Sequence, residues 1–550
     1  MARSLTVAFP PRQSRELQLA PTSFKRLFRN KLKLVVPEFN IMISATRLLF
    51  TTFCLTVLAF SSFAQTDPEA PIRVTFLHVN DVYQFMPVEG GKRGGHARLL
   101  TIRKQAEAEN AHVLFTLGGD TLSPSVETRT YKGAQMIDAW NAIGLDYSVL
   151  GNHEFDISTE ELLKRIEESE FTWLGANVIE AESGKPFADL PEFVIREFEG
   201  VKIGIIGLLL PETKETSSMD DSLKVTDYCL AANLIVSRLR KVEKVDAVVG
   251  LTHLFMEQDK KAAGCADFDL ILGGHEHSLL QSSANGTPIF KMTADAREVG
   301  KFNLNFDRQT KRLTGIDWEI IPVTDEIPDD PEFAPIVAKY KDLLDRLSVP
   351  VGATSVTLNA LSVANRTNET NIGNFIADAY REAVDADIGF VNGGSIRADL
   401  TYNPGPLTKR DVLSMLPFNN PIVKVEVTGA VLKEIVEHGV ARSAEDSEPG
   451  RFPQISGMTF RFDASRPARN RVIELKVAGQ DVVANKTYTI ATSDFLVSRG
   501  GDGYTMFARG NVVSGAEGAP RDSEVFEDAI KSAPNATISP KLENRIVREN

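Results

Sequence analysis

VLFTLGGD at residues 113–120 and SVLGNHEFD at residues 148–156 decide how this chain folds, because each sets a short apolar run directly against a turn and a polar, metal-ligating side chain. Three further segments repeat that order: FLHVND at 76–81, VVGLTHL at 248–254 and LILGGHEH at 270–277. The runs Val74 to Leu77, Val113 to Leu117, Tyr147 to Leu150, Ala247 to Leu251 and Leu270 to Leu272 are near-continuously apolar. That is the pattern of strands buried on both faces, and the glycines after most of them read as turns. In open α/β sheets ligands bind outside the carboxyl ends of the strands. Asp81, Asp120, Asn152, His153, His253, His275 and His277 are therefore expected to converge on one crevice.

Histidine, aspartate and asparagine are ligands for divalent metals. One aspartate can bridge two ions about 4 Å apart, a spacing that clamps a phosphoryl group for in-line attack. Asp120 is the candidate bridge, since the two glycines before it allow close approach. The chain has eight histidines and four stand at the polar strand-end positions of these motifs, which argues against accidental placement. Asn152 can bind metal while the adjacent His153 protonates a leaving oxygen, with Asp156 orienting the imidazole. His78 reads as a core residue or one supporting the ligands, and His96, His112 and His438 as structural or solvent-facing.

A chain of 550 residues exceeds one hydrophobic core and predicts two domains with appendages. Residues 1–64 stand apart in composition. They carry nine Lys or Arg against Glu16 and Glu38, then an apolar run from Leu48 to Phe60 and Ser62-Phe63-Ala64. This describes a signal peptide cleaved after Ala64, with Met42 the expected true start. Its removal takes the formal charge from −13 to −20, which opposes nucleic acid or an anionic membrane as the main partner. Cys54 lies in the signal; Cys229 and Cys265 are read equally as a disulfide or as two free thiols. The polar C-terminus SPKLENRIVREN offers no lipid anchor. The expectation is an exported, periplasmic or extracellular protein with no membrane anchor after cleavage.

Strand-like and helical stretches (Ala97 to Ala108, Glu160 to Glu168, Ala231 to Val242) alternate to about Val323. Acids and prolines then introduce a helix with apolar positions at Ile336, Tyr340, Leu343, Leu344 and Leu347, ending before Pro350. A second α/β segment follows, with a helix from Asn371 to Val384, a strand into Gly389-Phe390-Val391, and paired strands near Val423 to Val427 and Val472 to Val477. The expected organisation is a first domain over 70–325, a linker helix over 326–350 and a second domain over 351–548.

Asp81, Gly118-Gly119-Asp120, Gly151-Asn152-His153-Glu154, His253 and Gly274-His275-Glu276-His277 together resemble the calcineurin-type metallophosphoesterase pattern. With the second-half motifs below, the mature chain resembles the secreted 5′-nucleotidase and UDP-sugar hydrolase family. The resemblance implies a four-layer α/β/β/α sandwich, a linker helix and a second α/β substrate-binding domain. It implies one metal on Asp81, Asp120 and His277, a second on Asp120, Asn152, His253 and His275, and His153 with Asp156 as the catalytic pair. The implied cofactors are two divalent ions such as zinc or manganese.

One position departs from that pattern, which usually reads Asp-x-His where this chain has Asp81-Val82-Tyr83. A phenol is a poor neutral ligand, although ferric iron binds it as phenolate. Three readings stand: Tyr83 ligates a harder metal such as iron, it points away and leaves the first site one ligand short, or His277 compensates. A weaker or differently selective first site is expected.

Beyond the linker, residues 364–374 lead through Arg366 into a helix and residues 390–397 follow a strand to Arg397. Residues 416–420 contain Phe418 and Asn420, and Phe495 precedes the glycine-rich loop carrying Asp502. An arginine after a glycine turn suits phosphate or carboxylate, an aspartate on a glycine-rich loop accepts from ribose hydroxyls, and two rings sandwich a base. The family resemblance implies Asn392 and Arg397 as polar contacts, Phe418 and Phe495 as a base clamp, Asn420 as a base contact and Asp502 as the ribose acceptor, with Arg366 nearby. The expected activity is phosphate release from nucleoside 5′-monophosphates, with domain closure about the linker. UDP-sugar diphosphatase or 2′,3′-cyclic-nucleotide phosphodiesterase activity is the alternative on the same metals. A nucleotide-binding protein with a decayed first metal site is the alternative of another class.

Overall fold

A computed structural model describes residues 70–443 and 449–549. The expected signal peptide, the Met42 start and Cys54 lie outside the described residues.

The apolar runs form strands: those at Val74, Ala247 and Leu270 extend slightly past the bounds read from sequence, that at Val113 keeps them, and that at Tyr147 stops one residue short. Ile72–Val79, Val113–Leu117, Tyr147–Val149 and Thr172–Leu174 run parallel in one six-stranded sheet, which Glu298–Phe306 and Leu313–Pro322 extend antiparallel. A second six-stranded sheet holds Val201–Leu209, Ala247–His253, Leu270–Gly273 and Thr287–Lys291 in parallel, with Phe193–Phe198 and Leu280–Ala284 antiparallel at its edges.

Each strand is apolar on both sides because each sheet is covered twice. Val74, Phe76, Leu114 and Val149 of the first sheet meet Ile203, Ile205, Val249, Leu251 and Leu272 of the second in one buried cluster. On the outer faces, Leu99 and Trp140 from helices His96–Glu109 and Ala134–Ile143 cover Phe115 and Leu117, while Ile235 and Ala262 from Tyr228–Arg238 and Met256–Cys265 cover Val248 and Ile271. The result is a four-layer α/β/β/α sandwich, and each buried aliphatic or aromatic side chain contributes about 1.5–3 kcal/mol relative to exposure. A disulfide joins Cys229 to Cys265 across the last two helices, with Cα atoms 5.5 Å apart.

Helix Ala334–Leu347 follows a turn over Pro331–Phe333, where the Asp330 carboxylate accepts from the Glu332 amide. It buries Tyr340, Leu343 and Leu347, three of the five apolar positions read from sequence. Ile336 and Leu344 are half-buried against the core that holds Tyr340, whereas Leu343 and Leu347 pack with Val126 and Leu413.

In the second α/β region, a five-stranded sheet runs in the order Pro453–Ser456, Ile388–Asn392, Thr487–Ser493, Ile422–Thr428, Asn511–Ser514. Helix Asn371–Ala383, whose Thr370 cap accepts from the Gly373 amide, packs Ile372, Ile376 and Tyr380 over it. One expectation is corrected here. Val472–Val477 does not partner Ile422–Thr428; it pairs with Met458–Phe462 in a separate four-stranded sheet. Apolar alternation marks a strand and one buried face, and it carries no information about the neighbour. Among the described residues no helix is long and apolar enough to cross a membrane.

Candidate active site

All five motifs lie at the carboxyl ends of parallel strands, three on the first sheet and two on the second. The glycines let those ends meet. A Cβ on Gly119, whose φ is +83°, would stand 2.7 Å from the His253 ring, and one on Gly274 would stand 2.3 Å from the Gly118 carbonyl. Asp81, Asp120, His275 and His277 themselves adopt positive φ values of 54°, 58°, 86° and 57°. This left-handed conformation is tolerated best by Asp, Asn and His after glycine, and it turns each side chain back over the strand ends.

Asp120 is the hub. Its carboxylate accepts the His153 amide at 2.8 Å and lies 3.1 Å from His253 Nε2, which is also 3.1 Å from Asn152 Oδ1. Asp120, His253 and His275 offer donor atoms all within 4.8 Å of one another. Asp81 accepts the His275 amide at 2.8 Å, and its other oxygen is 3.2 Å from His277 Nε2. Asp81 and His253 are fully buried; Asp120, Asn152, His153, His275 and His277 face a crevice of about 1590 Å³.

The electrostatics suit a cation. Burial disfavours the Asp81 and Asp120 anions, but His277 beside the first and His253 beside the second outweigh it, holding Asp81 well below the usual carboxylate range and lowering Asp120. Burial alone would keep His253 neutral, yet the Asp120 carboxylate raises its pKa to about 9. His275 and His277 are lowered, first by burial and then by His253 near the one and by Arg397 near the other, so both are neutral donors. Paired buried carboxylates, the neutral His275 and His277 imidazoles, an amide oxygen and a His253 that gives up its proton on binding form a donor set that fits divalent metal.

Tyr83 does not point away. Its phenolic oxygen lies 3.2 Å from Asp81 Oδ1, 3.3 Å from Asp120 Oδ2 and 2.9 Å from His277 Nε2, so of the three sequence readings the outward one is overturned. The Tyr83 amide donates to Asp295 at 3.0 Å, and that contact fixes the turn which aims the ring inward. Burial, then Asp120 and Asp81, push the phenol well above 10.

His153 Nδ1 is 2.7 Å from Asp156 Oδ2, which also accepts from Ser123 Oγ at 3.0 Å, and the ring faces the crevice. Across that crevice stand Arg366, Asn392, Arg397, Phe418, Asn420, Phe495 and Asp502. Phe418 lies against the His153 ring with centroids 5.6 Å apart, and Arg397 Nη2 donates to the Tyr83 hydroxyl at 3.0 Å. Asn392 Nδ2 donates to Asp502 Oδ2 at 2.6 Å. Phe495 is half-buried in the crevice wall, whereas its neighbour Leu496 is buried in the core. Of the remaining histidines, His78 is buried and bridges Thr116 and Gly273, His96 packs on Trp140, His112 is on the surface beside Glu199, and His438 is bonded to the Asp502 carbonyl.

Two supporting residues were given no role from sequence, although Glu154 lies within one of the five motifs. Glu154 accepts backbone N–H bonds from Asp120 (3.0 Å), Thr121 (2.7 Å), Leu122 (3.2 Å) and Gly151 (2.5 Å), locking the two ligand turns together. Burial, then the Asp120 charge, raise its pKa to about 7. Lys291 is fully buried; its ammonium is 2.8 Å from Asp259, bonds Glu276, and donates to the carbonyls of Leu254 and Gly274. Those carbonyls follow His253 and precede His275. The available signal was its position, a lysine closing the apolar run PIF at a strand's carboxyl end, as the ligand motifs do.

A four-layer sandwich with a buried carboxylate and imidazole cluster at its strand ends, facing a second domain across a crevice, defines a metallophosphoesterase-type hydrolase. Residues 74–279 match the family model of calcineurin-like phosphoesterases, and residues 350–509 match that of the 5′-nucleotidase C-terminal domain. The chain belongs to the family that joins these two domains, and it is a metal-dependent phosphoester hydrolase. It is 30% identical over 526 residues to the trifunctional nucleotide phosphoesterase protein YfkN of Bacillus subtilis, covering 86% of this chain but only 35% of that one. The 5′-nucleotidase of Diplobatis ommata is 28% identical, with 87% of this chain and 90% of that one aligned. The crystal structure of the 5′-nucleotidase precursor from Thermus thermophilus superposes with a TM-score of 0.79 at 27% identity, covering 87% of this chain and 99% of the other.

Proposed function

We propose that the protein releases phosphate from nucleoside 5′-monophosphates in the crevice between its two α/β regions. The supporting observation is that His153, paired with Asp156, faces the same space as Arg397, Phe418, Phe495 and Asp502. Asp81, Asp120 and His277 would hold one divalent ion, and Asp120, Asn152, His253 and His275 a second; when bound, the pair would polarise the phosphoryl group and activate the attacking water.

The chain's own groups do the rest. With Asp156 accepting at Nδ1, His153 holds its Nε2 toward the crevice to protonate the departing ribose oxygen. Phe418 covers the His153 ring and limits water there. The Arg397 guanidinium offers its remaining N–H groups to phosphoryl oxygens, Phe418 and Phe495 take the base between them, and Asp502 keeps an oxygen for the ribose hydroxyls. The crevice, about 1590 Å³, is larger than a nucleoside monophosphate requires, which favours nucleotide diphosphate esters such as UDP-sugars as a second substrate class. The disulfide between Cys229 and Cys265 favours export to an oxidising compartment.

Phosphate release from AMP, UDP-glucose and 2′,3′-cyclic AMP, with and without chelator, tests the reading. Chelator-sensitive release from AMP is expected. Activity on none of the three, or activity indifferent to chelator, refutes it.

A further inference from the structure

Four donor atoms from four side chains crowd one end of the buried cluster: Asp81 Oδ1, Asp120 Oδ2, His277 Nε2 and the Tyr83 phenolic oxygen. The phenolic oxygen is 3.2, 3.3 and 2.9 Å from the other three, and His277 Nε2 is 3.2 Å from Asp81 Oδ1. Donors at adjacent corners of a metal shell with bonds of about 2.1 Å stand about 3.0–3.4 Å apart, depending on whether the shell is octahedral or tetrahedral. The four separations match a shared ion better than an accidental cluster, because one phenolic proton cannot serve both carboxylates.

We infer that Tyr83 is itself a metal ligand, and that with Asp81, Asp120 and His277 it forms a site selective for a hard trivalent ion, ferric iron in particular. This rests on the two-metal hydrolase reading and extends it to the identity of one ion. Three of the donors are oxygens that bind as anions, a set that favours hard, highly charged cations over zinc, while phenolate is an established iron ligand. On coordination the phenol exchanges its proton for the ion and the proton passes to solvent; iron enters already ferric, so no electron is moved. Arg397 stands 3.0 Å from the same oxygen with its guanidinium carbon 5.4 Å from the Tyr83 ring centre, and its charge helps balance the anionic set.

The test uses the full chain stripped with chelator, then loaded with ferric citrate followed by zinc. About one iron per chain should be retained, with a visible phenolate-to-iron absorption band and tyrosinate modes in resonance Raman. Tyr83→Phe should lose the band and bind iron about tenfold or more weakly. Tyr83→His should lose the band and shift occupancy toward zinc, showing that the site is still folded. No iron retention, iron without the band, or a band that survives in Tyr83→Phe each overturns the inference. Phosphate release is followed in the same samples: a Tyr83-dependent band without release sinks the hydrolase reading alone, and release from a colourless site sinks this one alone.

Discussion

Replacing Lys291 with methionine is expected to destabilise the first domain by about 3–5 kcal/mol, the usual cost of breaking a buried ion pair by deleting one partner. The magnitude follows from what the ammonium holds. Lys291 and Asp259 are both fully buried, 2.8 Å apart, with Glu276 on the same nitrogen, so methionine leaves two carboxylates and two carbonyls without their donor. Burial raises the Asp259 and Glu276 pKa values even with Lys291 present, because one ammonium is shared between them. Part of the loss is therefore recovered by neutralising a partner, and Lys291→Met with Asp259→Asn should be more stable than Lys291→Met alone. Urea unfolding of chelator-treated protein reads both values. Calorimetric titration with zinc reads the second consequence: with the Leu254 and Gly274 carbonyls released, His253 and His275 lose their fixed aim and affinity falls about 10–100-fold. A single variant within about 1 kcal/mol of the parent, or a double variant no better than the single, would refute the argument.

Two other outcomes follow from the site and its surroundings. His153→Ala should lower turnover about 10²–10⁴-fold with metal content unchanged, measured by phosphate release beside elemental analysis. Asp522 is buried, accepts the amides of Asn420 and Ser523, and has its pKa raised to about 7, mainly by burial. Between about pH 4 and 7 the folded chain keeps this proton after the unfolded chain has released it, so stability falls by about 1.4 kcal/mol per pH unit from this group. Asp522→Asn should remove that slope in urea unfolding followed across the range.

Both six-stranded sheets were legible because strands buried on two faces leave unbroken apolar runs, and the ligand positions because polar residues at the ends of such runs are costly unless used. Strand partnership was less legible: Val472–Val477 has the right alternation but the wrong expected neighbour, since register and pairing depend on surfaces remote in sequence. Tyr83 shows the same limit at the scale of one side chain. The sequence marks it as unusual, but its inward turn depends on partners remote in sequence, Asp295 at its backbone and His277 and Arg397 at its hydroxyl. Glu154 acts through backbone N–H groups, and Lys291 holds the ligand turns through two carbonyls; such groups carry no residue identity, so these contacts leave no trace in the sequence.

The left-handed backbone at Asp81, Asp120, His275 and His277 also constrains how such a site can decay. A change to alanine or valine there removes a donor and adds conformational strain of about 1–3 kcal/mol, whereas glycine removes the donor and relieves the backbone. Chains that drift away from this chemistry are therefore steered toward glycine or asparagine at these four positions, and the geometry of the lost site would outlast its activity.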